Sequence, residues 1–227
     1  MIVRHAIRPR AVIFDWDNTL IDSWLCIQEA YNLTFRHFAM PEWSMAEIRA
    51  NVAKSMRDSF PEMFGSRWEE ARDVFYHSYE TIHLSHLRPL PGAAEMLDNL
   101  AASGIYLAVV SNKAGPYLRT EAEILGWSRL FGRLVGATDA EADKPHPAPV
   151  TLALADTGIQ PGRDVWFVGD SAIDMQCACN SGCIPILMRP DPPLPGEFDG
   201  HPPMRHLDSC PGLASLVGEL PVPISRD

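Results

Sequence analysis

Short runs of consecutive apolar residues recur along the chain, and they predict strands that are buried on both faces. The clearest runs are residues 11–14, 105–110, 165–168 and 184–187, and residues 133–136 form a weaker one. Runs without polar alternation are typical of a parallel sheet that is covered by helices on both sides. Helical patterns lie between most of these runs, so the order of the elements predicts a doubly wound α/β sheet.

The stretch of residues 22–88 interrupts this alternation, because it carries helical signals and no convincing strand. Aromatic and aliphatic residues recur in it at helical spacing, which predicts helices that pack on one another. Ser44 and Ser66 are each followed three residues later by a glutamate, the pattern of a capping box at a helix start. We therefore predict an all-helical cap domain of residues 22–88, inserted into a core domain of residues 1–21 and 89–227.

One helix of the insert carries two cations that could contact a substrate. The helix predicted after Ser44 would continue through Lys54 and Arg57, which are three residues apart and would share adjacent surface. Its apolar face would be formed by Ile48, Val52 and Met56. The hypothesis is that the two cations bind an anionic leaving group, although a solvated basic face is the more common role of such residues.

The overall charge argues against two classes of partner. The 227 residues carry a formal net charge of −10, which repels nucleic acids and anionic membranes at long range. No run of 18 apolar residues is present, so no transmembrane helix is predicted. The five cysteines, an odd number, are better explained as reduced thiols than as a disulfide framework. We expect a cytoplasmic protein whose partner is a small molecule.

Acidic residues follow the first and the fourth of the apolar runs. Asp15 and Asp17 come directly after the first run, and Asp170 and Asp174 come after the fourth. Ligands of open α/β sheets bind at the carboxyl ends of strands, so we expect the two pairs to meet there. Taken alone, each pair could simply cap a helix or lie in a solvated loop. Together, four carboxylates repel one another unless a cation offsets their charge.

Polar residues also follow the second run and precede a later predicted helix. Ser111 and Asn112 stand where a hydroxyl and backbone N–H groups could hold phosphoryl oxygens, although helix capping is the more common role of both residue types. Lys144 lies in a loop before a helix and could supply a point charge for a phosphoryl group, although most lysines are simply exposed. Neither signal is specific by itself.

The order of these four segments is the specific signal. They carry Asp-x-Asp, Ser, Lys and Gly-Asp-x-x-x-Asp, and this order resembles the four motifs of the haloacid dehalogenase (HAD) superfamily over residues 11 to about 188. The helical insert resembles the C1 type of cap. The sequence Asp-Trp-Asp-Asn-Thr-Leu-Ile-Asp-Ser at residues 15–23 is similar to the phosphoglycolate phosphatase-like branch. The resemblance implies a Rossmann-like HAD core and the hydrolysis of a small phosphorylated metabolite, for which phosphoglycolate is the guess.

The resemblance also implies a role for each motif residue. Asp15 would be the nucleophile that forms an aspartyl phosphate, and Asp17 would be the acid/base. Ser111 and Lys144, supported by Asn112, would bind the phosphoryl group. A Mg²⁺ ion would be held by Asp15, the backbone carbonyl of Asp17, Asp170 and, directly or through water, Asp174. Oxygen ligands of this kind suit Mg²⁺ better than a soft metal.

Alternatives remain open at this point. A dehalogenase would have no use for Asp17 as a phosphoryl acid/base, whereas a phosphomutase shares the whole core and differs only in passing the phosphoryl group to a sugar hydroxyl. A non-catalytic regulatory module on the same fold would not need a complete set of motifs. Two features depart from the family pattern: Trp16 is bulkier than the aliphatic residue often found there, and the irregular loop of residues 189–206 is long.

Two groups of possible metal ligands are better explained in other ways. Small residues on a helix usually pack against a sheet, so packing is favoured over zinc binding for Cys177, Cys179 and Cys183. The spacing of the second group matches no strong zinc pattern and predicts a polar loop at His201, His206 and Cys210.

Overall fold

The computed structural model describes residues 8–52 and 54–221, and these form two compact units. One unit comprises the residues up to Leu20 together with those from Pro89 onwards, and the other is Ile21–Arg88. The first residues of the predicted core domain, 1–7, lie outside the described residues. None of the helices in the described part of the chain is long and apolar enough to span a membrane.

A parallel sheet of six strands forms the centre of the first unit. The strands are β1 (Ala11–Phe14), β2 (Tyr106–Ala114), β3 (Arg133–Ala137), β4 (Val165–Gly169), β5 (Ile184–Met188) and β6 (Arg205–Leu207). They lie in the order β3-β2-β1-β4-β5-β6, and every neighbouring pair is parallel. The five apolar runs all correspond to strands, which confirms the predicted sheet. The sequence analysis missed β6 because its three residues are only half-buried and interrupt a polar loop.

Nine helices of the described residues complete the two units. They are α1 (Trp24–His37), α2 (Met45–Asn51), α3 (Met56–Phe64), α4 (Trp68–His86), α5 (Ala93–Ala102), α6 (Gly115–Ile124), α7 (Ala148–Ala153), α8 (Ala172–Asn180) and α9 (Cys210–Glu219). The first four belong to the Ile21–Arg88 unit, and the other five flank the sheet. The fold is therefore the α/β class that the sequence predicted, a parallel sheet with helices around it.

The central strand β1 shows why its residues are continuously apolar. Ala11 and Ile13 join a buried cluster that includes residues of α7 and α8. Side chains alternate along a strand, so Val12 and Phe14 point to the opposite face of the sheet. All four are completely buried. A strand with both faces covered has no position at which a polar side chain could reach solvent.

Two of the cysteines at and after α8 belong to the same hydrophobic cluster. Cys177, on α8, and Cys183, which follows it, pack in the cluster, and burial raises the pKa of Cys177 to about 12 and that of Cys183 to about 11. A buried thiol with a raised pKa is protonated at neutral pH and is a poor metal ligand. All five cysteines are free thiols. This supports packing as the role of Cys177 and Cys183, whereas Cys179 is only half-buried and lies outside the cluster.

Aromatic packing forms the core of the Ile21–Arg88 unit. The Tyr31 ring on α1 lies 5.1 Å from the Phe75 ring on α4 and 5.8 Å from the Phe60 ring on α3, between ring centroids. Phe35 is completely buried one turn further along α1. Asn32 holds the chain after α1, because its side chain accepts a hydrogen bond from Trp43 N and donates one to Trp43 O. The aromatic spacing of the insert therefore indicated a core, as expected.

The boundaries of two predicted helices are different in the structure. The capping box at Ser44 is present, with Ser44 N donating to Glu47 at 2.8 Å. The one at Ser66 is not, because residues 65–67 form a 3-10 turn and α4 begins at Trp68. Arg67 forms an ion pair with Glu70, and Ser66 lies before the first residue of α4.

The prediction that Lys54 and Arg57 lie on one helix was also wrong. The helix after Ser44 ends at Asn51, whose side chain donates to the carbonyl of Glu47 instead of continuing the helical pattern. Lys54 lies in a bend and forms an ion pair with Glu62 at 3.9 Å, whereas Arg57 lies on the next helix, α3. Lys54 and Arg57 therefore do not share one helical surface.

We predict that the aromatic core stabilises the helical unit far more than its surface does. Phe35→Ala removes a fully buried ring and should lower the free energy of unfolding by about 3–5 kcal/mol. Leu25→Ala on the same helix is the control, because Leu25 is 63% exposed and its loss should cost less than about 0.5 kcal/mol. Urea denaturation followed by circular dichroism measures both. Equal losses would contradict this account of the core.

Candidate active site

The carboxyl end of β1 is the point from which the candidate site is built. Asp15 directly follows β1, and its backbone N–H donates to the carbonyl of Val168 on β4 at 2.8 Å. β2 and β3 lie on one side of β1, and β4, β5 and β6 lie on the other. Such a reversal of strand order opens a crevice at the carboxyl edge of a sheet, where ligands bind. Asp15 therefore lies at the topological switch point.

The ammonium of Lys144 is the cation of this edge. Lys144 is only 2% exposed, and its Nζ lies 2.8 Å from Asp15 Oδ1 and 2.7 Å from Asp174 Oδ1. Burial alone would lower the pKa of Lys144, but the two carboxylates outweigh burial and raise it above its usual value. Lys144 is therefore charged at any physiological pH, and it is not the exposed lysine that its residue type alone favours.

Asn112 holds the main chain of Lys144 in place. Its side-chain carbonyl accepts a hydrogen bond from Lys144 N at 3.1 Å, and its side-chain amide donates to Lys144 O at 3.2 Å. These two bonds connect β2 to the segment that carries the lysine. The structure therefore places the Asn112 carboxamide against the backbone of Lys144.

Three carboxylates converge beside the lysine. Asp15, Asp170 and Asp174 each have an oxygen within 4.8 Å of the others. Asp174, on α8, is completely buried, and its Oδ2 accepts hydrogen bonds from Ser171 N and Oγ. Gly169 allows this approach, because a Cβ at that position would lie 2.3 Å from the Asp174 side chain. The structure thus brings together three of the four acids that the sequence singled out.

Burial, together with the neighbouring carboxylates, raises the proton affinity of two of these acids, Asp15 and Asp170. Burial, with the neighbouring charges of Asp174 and Asp17, raises the pKa of Asp15 to about 6, although Lys144 opposes the shift. The pKa of Asp170 is raised well above its usual value by burial and by the charges of Asp174 and Asp15. Three carboxylates and one ammonium leave a formal charge of minus two, which a divalent cation would offset.

Ser111 lies in the strand and not in the loop that was expected to follow it. β2 continues to Ala114, but its pairing with β3 shifts register between Val110 and Ala114. An irregularity of this kind redirects side chains at the end of a strand. Ser111 is buried there, and its Oγ accepts a hydrogen bond from Lys113 N at 3.2 Å.

Asp17 has a different cation from Asp15. Its Oδ1 lies 2.7 Å from Lys113 Nζ, and that ammonium also contacts Glu121 Oε2 at 2.6 Å. The Asp17 side chain is not among the three clustered carboxylates. The sequence analysis gave no role to Lys113 or Glu121. The position of Lys113 one residue after Asn112 was the available signal, whereas nothing local distinguishes Glu121 from a surface glutamate of α6.

The long loop that follows β5 is attached to the same edge. Arg189 Nη1 donates to the backbone carbonyl of Asp170 at 3.1 Å, and both of its terminal nitrogens pair with Glu197 at 2.6 and 2.7 Å. His206 Nε2 lies 2.8 Å from Arg189 O. Within residues 8–52 and 54–221, the three aspartates are the only cluster of His, Cys, Asp or Glu side chains with metal-ligand geometry. The polar loop predicted for His201, His206 and Cys210 was wrong in part, because His206 lies on β6 and Cys210 begins α9.

Comparison with known proteins relates this arrangement to one family. Residues 12–187 match the family described as haloacid dehalogenase-like hydrolase. A phosphoglycolate phosphatase of Yersinia pestis is 29% identical over 77% of this chain and 78% of its own. A phosphoglycolate phosphatase of Pectobacterium atrosepticum is 30% identical over 79% of this chain and 80% of its own.

Solved structures show the same fold. A HAD-superfamily hydrolase from Ehrlichia chaffeensis is 28% identical and superposes with a TM-score of 0.66, covering 95% of this chain and 99% of its own. A predicted phosphoglycolate phosphatase from Haemophilus somnus is 21% identical with a TM-score of 0.81, over 93% of this chain and 99% of its own. The family match covers most of the chain and confirms the resemblance seen in the motifs. This chain belongs to the haloacid dehalogenase-like hydrolase family, and it is a phosphatase.

Proposed function

We propose that this enzyme is a Mg²⁺-dependent phosphatase that hydrolyses a small phosphorylated metabolite through an aspartyl phosphate on Asp15. The observation that carries the proposal is the buried contact of Lys144 with Asp15 and Asp174 beside Asp170. A nucleophilic carboxylate next to a fixed cation and a pair of acids is what phosphoryl transfer needs, since the reaction depends on alignment and on offsetting charge. The phosphoglycolate phosphatases among the relatives suggest a substrate of similar size and charge.

In the first half-reaction, an oxygen of the Asp15 carboxylate attacks the phosphorus atom and the ester P–O bond breaks. Lys144 orients Asp15 and offsets the charge of the phosphoryl oxygens, and the hydroxyl of Ser111 hydrogen bonds to one of them. Asp17 protonates the oxygen of the leaving alcohol. Asn112 contributes through the main chain of Lys144, because its carboxamide is bonded there.

In the second half-reaction, water attacks the phosphorus atom of the aspartyl phosphate. Asp17, now deprotonated, takes a proton from that water, the acyl phosphate bond breaks, and inorganic phosphate and free Asp15 are formed. The Asp17 side chain is available for both steps because it lies outside the three clustered acids, and its contact with Lys113 fixes its position. Asp15 and Asp17 are thus two residues apart but have different roles.

The three clustered carboxylates fit a Mg²⁺ ion. Their oxygens are hard donors, they lie within 4.8 Å of one another, and their charge exceeds that of Lys144 by two. We propose Asp15, Asp170 and the backbone carbonyl of Asp17 as ligands, with Asp174 binding directly or through water. The bound ion supplies charge stabilisation for the phosphoryl group. Thr19 and Arg189 orient Asp170, since Thr19 Oγ1 donates to its Oδ1 and Arg189 to its carbonyl.

Residues 22–88, which make up almost all of the helical unit, are proposed to be the cap that excludes water and recognises the leaving group, joined to the core of residues 1–21 and 89–227. They are inserted directly after the motif that contains Asp15 and Asp17. A hydrogen bond from Asp22 N to Arg88 O brings the two ends of the unit together. We keep the cytoplasm as the proposed location, on the basis of the free thiols.

We predict that removing divalent cations abolishes activity. A chelator should eliminate hydrolysis of an aryl phosphate, and added Mg²⁺ should restore it, because the acids repel one another without a cation. Mg²⁺ should also raise the unfolding temperature of the wild-type protein and raise it much less in Asp170→Asn. Full activity in excess chelator would contradict the proposal.

We also predict that metal binding depends on pH. The pKa of Asp15 is raised to about 6 from 3.8, so protons compete with Mg²⁺ below about pH 6 and the rise in unfolding temperature should shrink there. Without metal, the dependence of stability on pH has the opposite sign. An acid whose pKa is raised by folding stabilises the folded state at low pH, and this stability is lost as the pH rises from about 3.8 to about 6. Thermal melts at several pH values, with and without Mg²⁺, test both expectations.

Two substitutions should separate the nucleophile from the acid/base. Asp15→Asn removes the attacking anion and should abolish turnover with no phosphoenzyme formed. Asp17→Asn leaves the nucleophile in place and should lower kcat by about 10²–10⁴-fold, the usual effect of losing general acid–base catalysis. Rapid-quench assays with a ³²P-labelled substrate measure both half-reactions. Near-normal kcat in Asp15→Asn would show that the assigned nucleophile is wrong.

A further inference from the structure

A buried carboxylate outside the proposed catalytic group contacts the cation of Asp17. Glu121, on α6, is only 1% exposed. One of its oxygens, Oε2, accepts a hydrogen bond from Trp16 Nε1 at 2.7 Å and forms an ion pair with Lys113 Nζ at 2.6 Å. Lys113 Nζ in turn lies 2.7 Å from Asp17 Oδ1. The contacts therefore link the Trp16 side chain, through Glu121 and Lys113, to Asp17, the next residue in the chain.

Burying these charges is unfavourable unless each one is compensated. Burial alone would lower the pKa of Lys113, but the carboxylates of Asp17 and Glu121 outweigh it and raise the pKa. Lys113 therefore stays charged between two anions. A buried ion pair is weak evidence for stability, because apolar residues of similar volume often stabilise a fold as well or better. The position of this network beside Asp17 points to a role in the reaction.

Glu121 restricts the position of the Lys113 ammonium. A lysine has a flexible four-carbon stem and a compact charge, so with one partner it could move toward whichever anion is nearest. A second carboxylate, that of Glu121, restricts the ammonium to a position within 2.6 and 2.7 Å of both anions. Trp16 in turn fixes the oxygen of Glu121, and the Trp16 ring is itself held by edge-to-face contacts with Trp127 and Phe131 at 5.7 and 6.4 Å.

We propose that Glu121 and Trp16 are positioning residues that hold Lys113 against the Asp17 carboxylate and so orient Asp17 for both proton transfers. The inference rests on the proposed function, in which Asp17 is the acid/base. It also explains the bulk of Trp16, the departure from the family pattern at this position. The indole provides a hydrogen-bond donor for Glu121 and a large ring that contacts Trp127 and Phe131. A side chain must have both features to make all of these contacts.

The test is a double-substitution cycle of Glu121→Gln and Asp17→Asn. Glu121→Gln keeps the shape of the side chain but removes the charge that holds Lys113, and should lower kcat by roughly 10- to 100-fold, the scale of a misplaced catalytic group. KM should change by less than about twofold, because no substrate contact is lost. If Glu121 acts only through Asp17, adding Glu121→Gln to Asp17→Asn should cause little further loss.

The dependence on the leaving group provides a second readout. An aryl oxide leaves without a proton, so Glu121→Gln should lower kcat/KM much less for 4-nitrophenyl phosphate than for the alkyl phosphate that is turned over fastest, with 2-phosphoglycolate tested first. Glu123→Gln, exposed on the same helix, is the matched control and should behave as wild type. Trp16→Phe removes the indole N–H and should show the same pattern with a smaller loss, which keeps the test available if Glu121→Gln does not fold.

Four outcomes would count against these proposals. If Glu121→Gln lowers kcat/KM equally for both substrates, its role is generally structural, and the inference alone is overturned. The same holds if Glu121→Gln lowers kcat as much in the Asp17→Asn background as it does in the wild type. Wild-type kinetics in Glu121→Gln and Trp16→Phe would overturn it as well. Unchanged turnover in Asp17→Asn would instead overturn the proposed role of Asp17, and with it this inference.

Discussion

The ammonium of Lys144 is held between the carboxylates of Asp15 and Asp174, and the geometry of the site depends on this contact. A lysine that is 2% exposed remains charged only because two anions surround it. Those anions come from the end of β1 and from α8, while Asn112 on β2 holds the lysine's main chain. One buried charge thus connects segments that are far apart in sequence and leaves an excess of negative charge beside them, where a divalent cation fits.

A second buried lysine explains how two neighbouring aspartates can differ in chemistry. Lys144 contacts Asp15, whereas Lys113 contacts Asp17. Each carboxylate therefore has its own cation, and Asp17 is separated from the acids that surround Asp15. Different environments are the usual way in which a fold assigns different roles to like groups. Trp16 separates the two aspartates in sequence, and its indole donates a hydrogen bond to Glu121, which contacts Lys113.

The local charge of the site has the same sign as that of the whole chain. The formal net charge of −10 repels anions at long range, which is unfavourable for a phosphorylated substrate. The two ammonium groups at the carboxyl edge of the sheet do not reverse this effect by themselves, because the carboxylates around them outnumber them. We therefore expect a divalent cation to be needed before the site attracts a phosphorylated substrate.

The sequence by itself determined the sheet, the helical insert and the identity of the motif residues. Continuous apolar runs are sufficient to predict buried strands, and strand ends are sufficient to predict that Asp15 and Asp170 meet, because parallel strands share one carboxyl edge. Helix ends were less accurate, as at Asn51 and Trp68, since local side-chain bonds compete with the helical pattern.

Only the tertiary structure decided which charges pair. Glu121 is 105 residues from Trp16, and no local pattern distinguishes it from an exposed glutamate. The same is true of Arg189, which reaches the backbone of Asp170 from a loop predicted to be irregular. Such contacts depend on how the strands are ordered in the sheet, and periodicity along the chain does not contain that information.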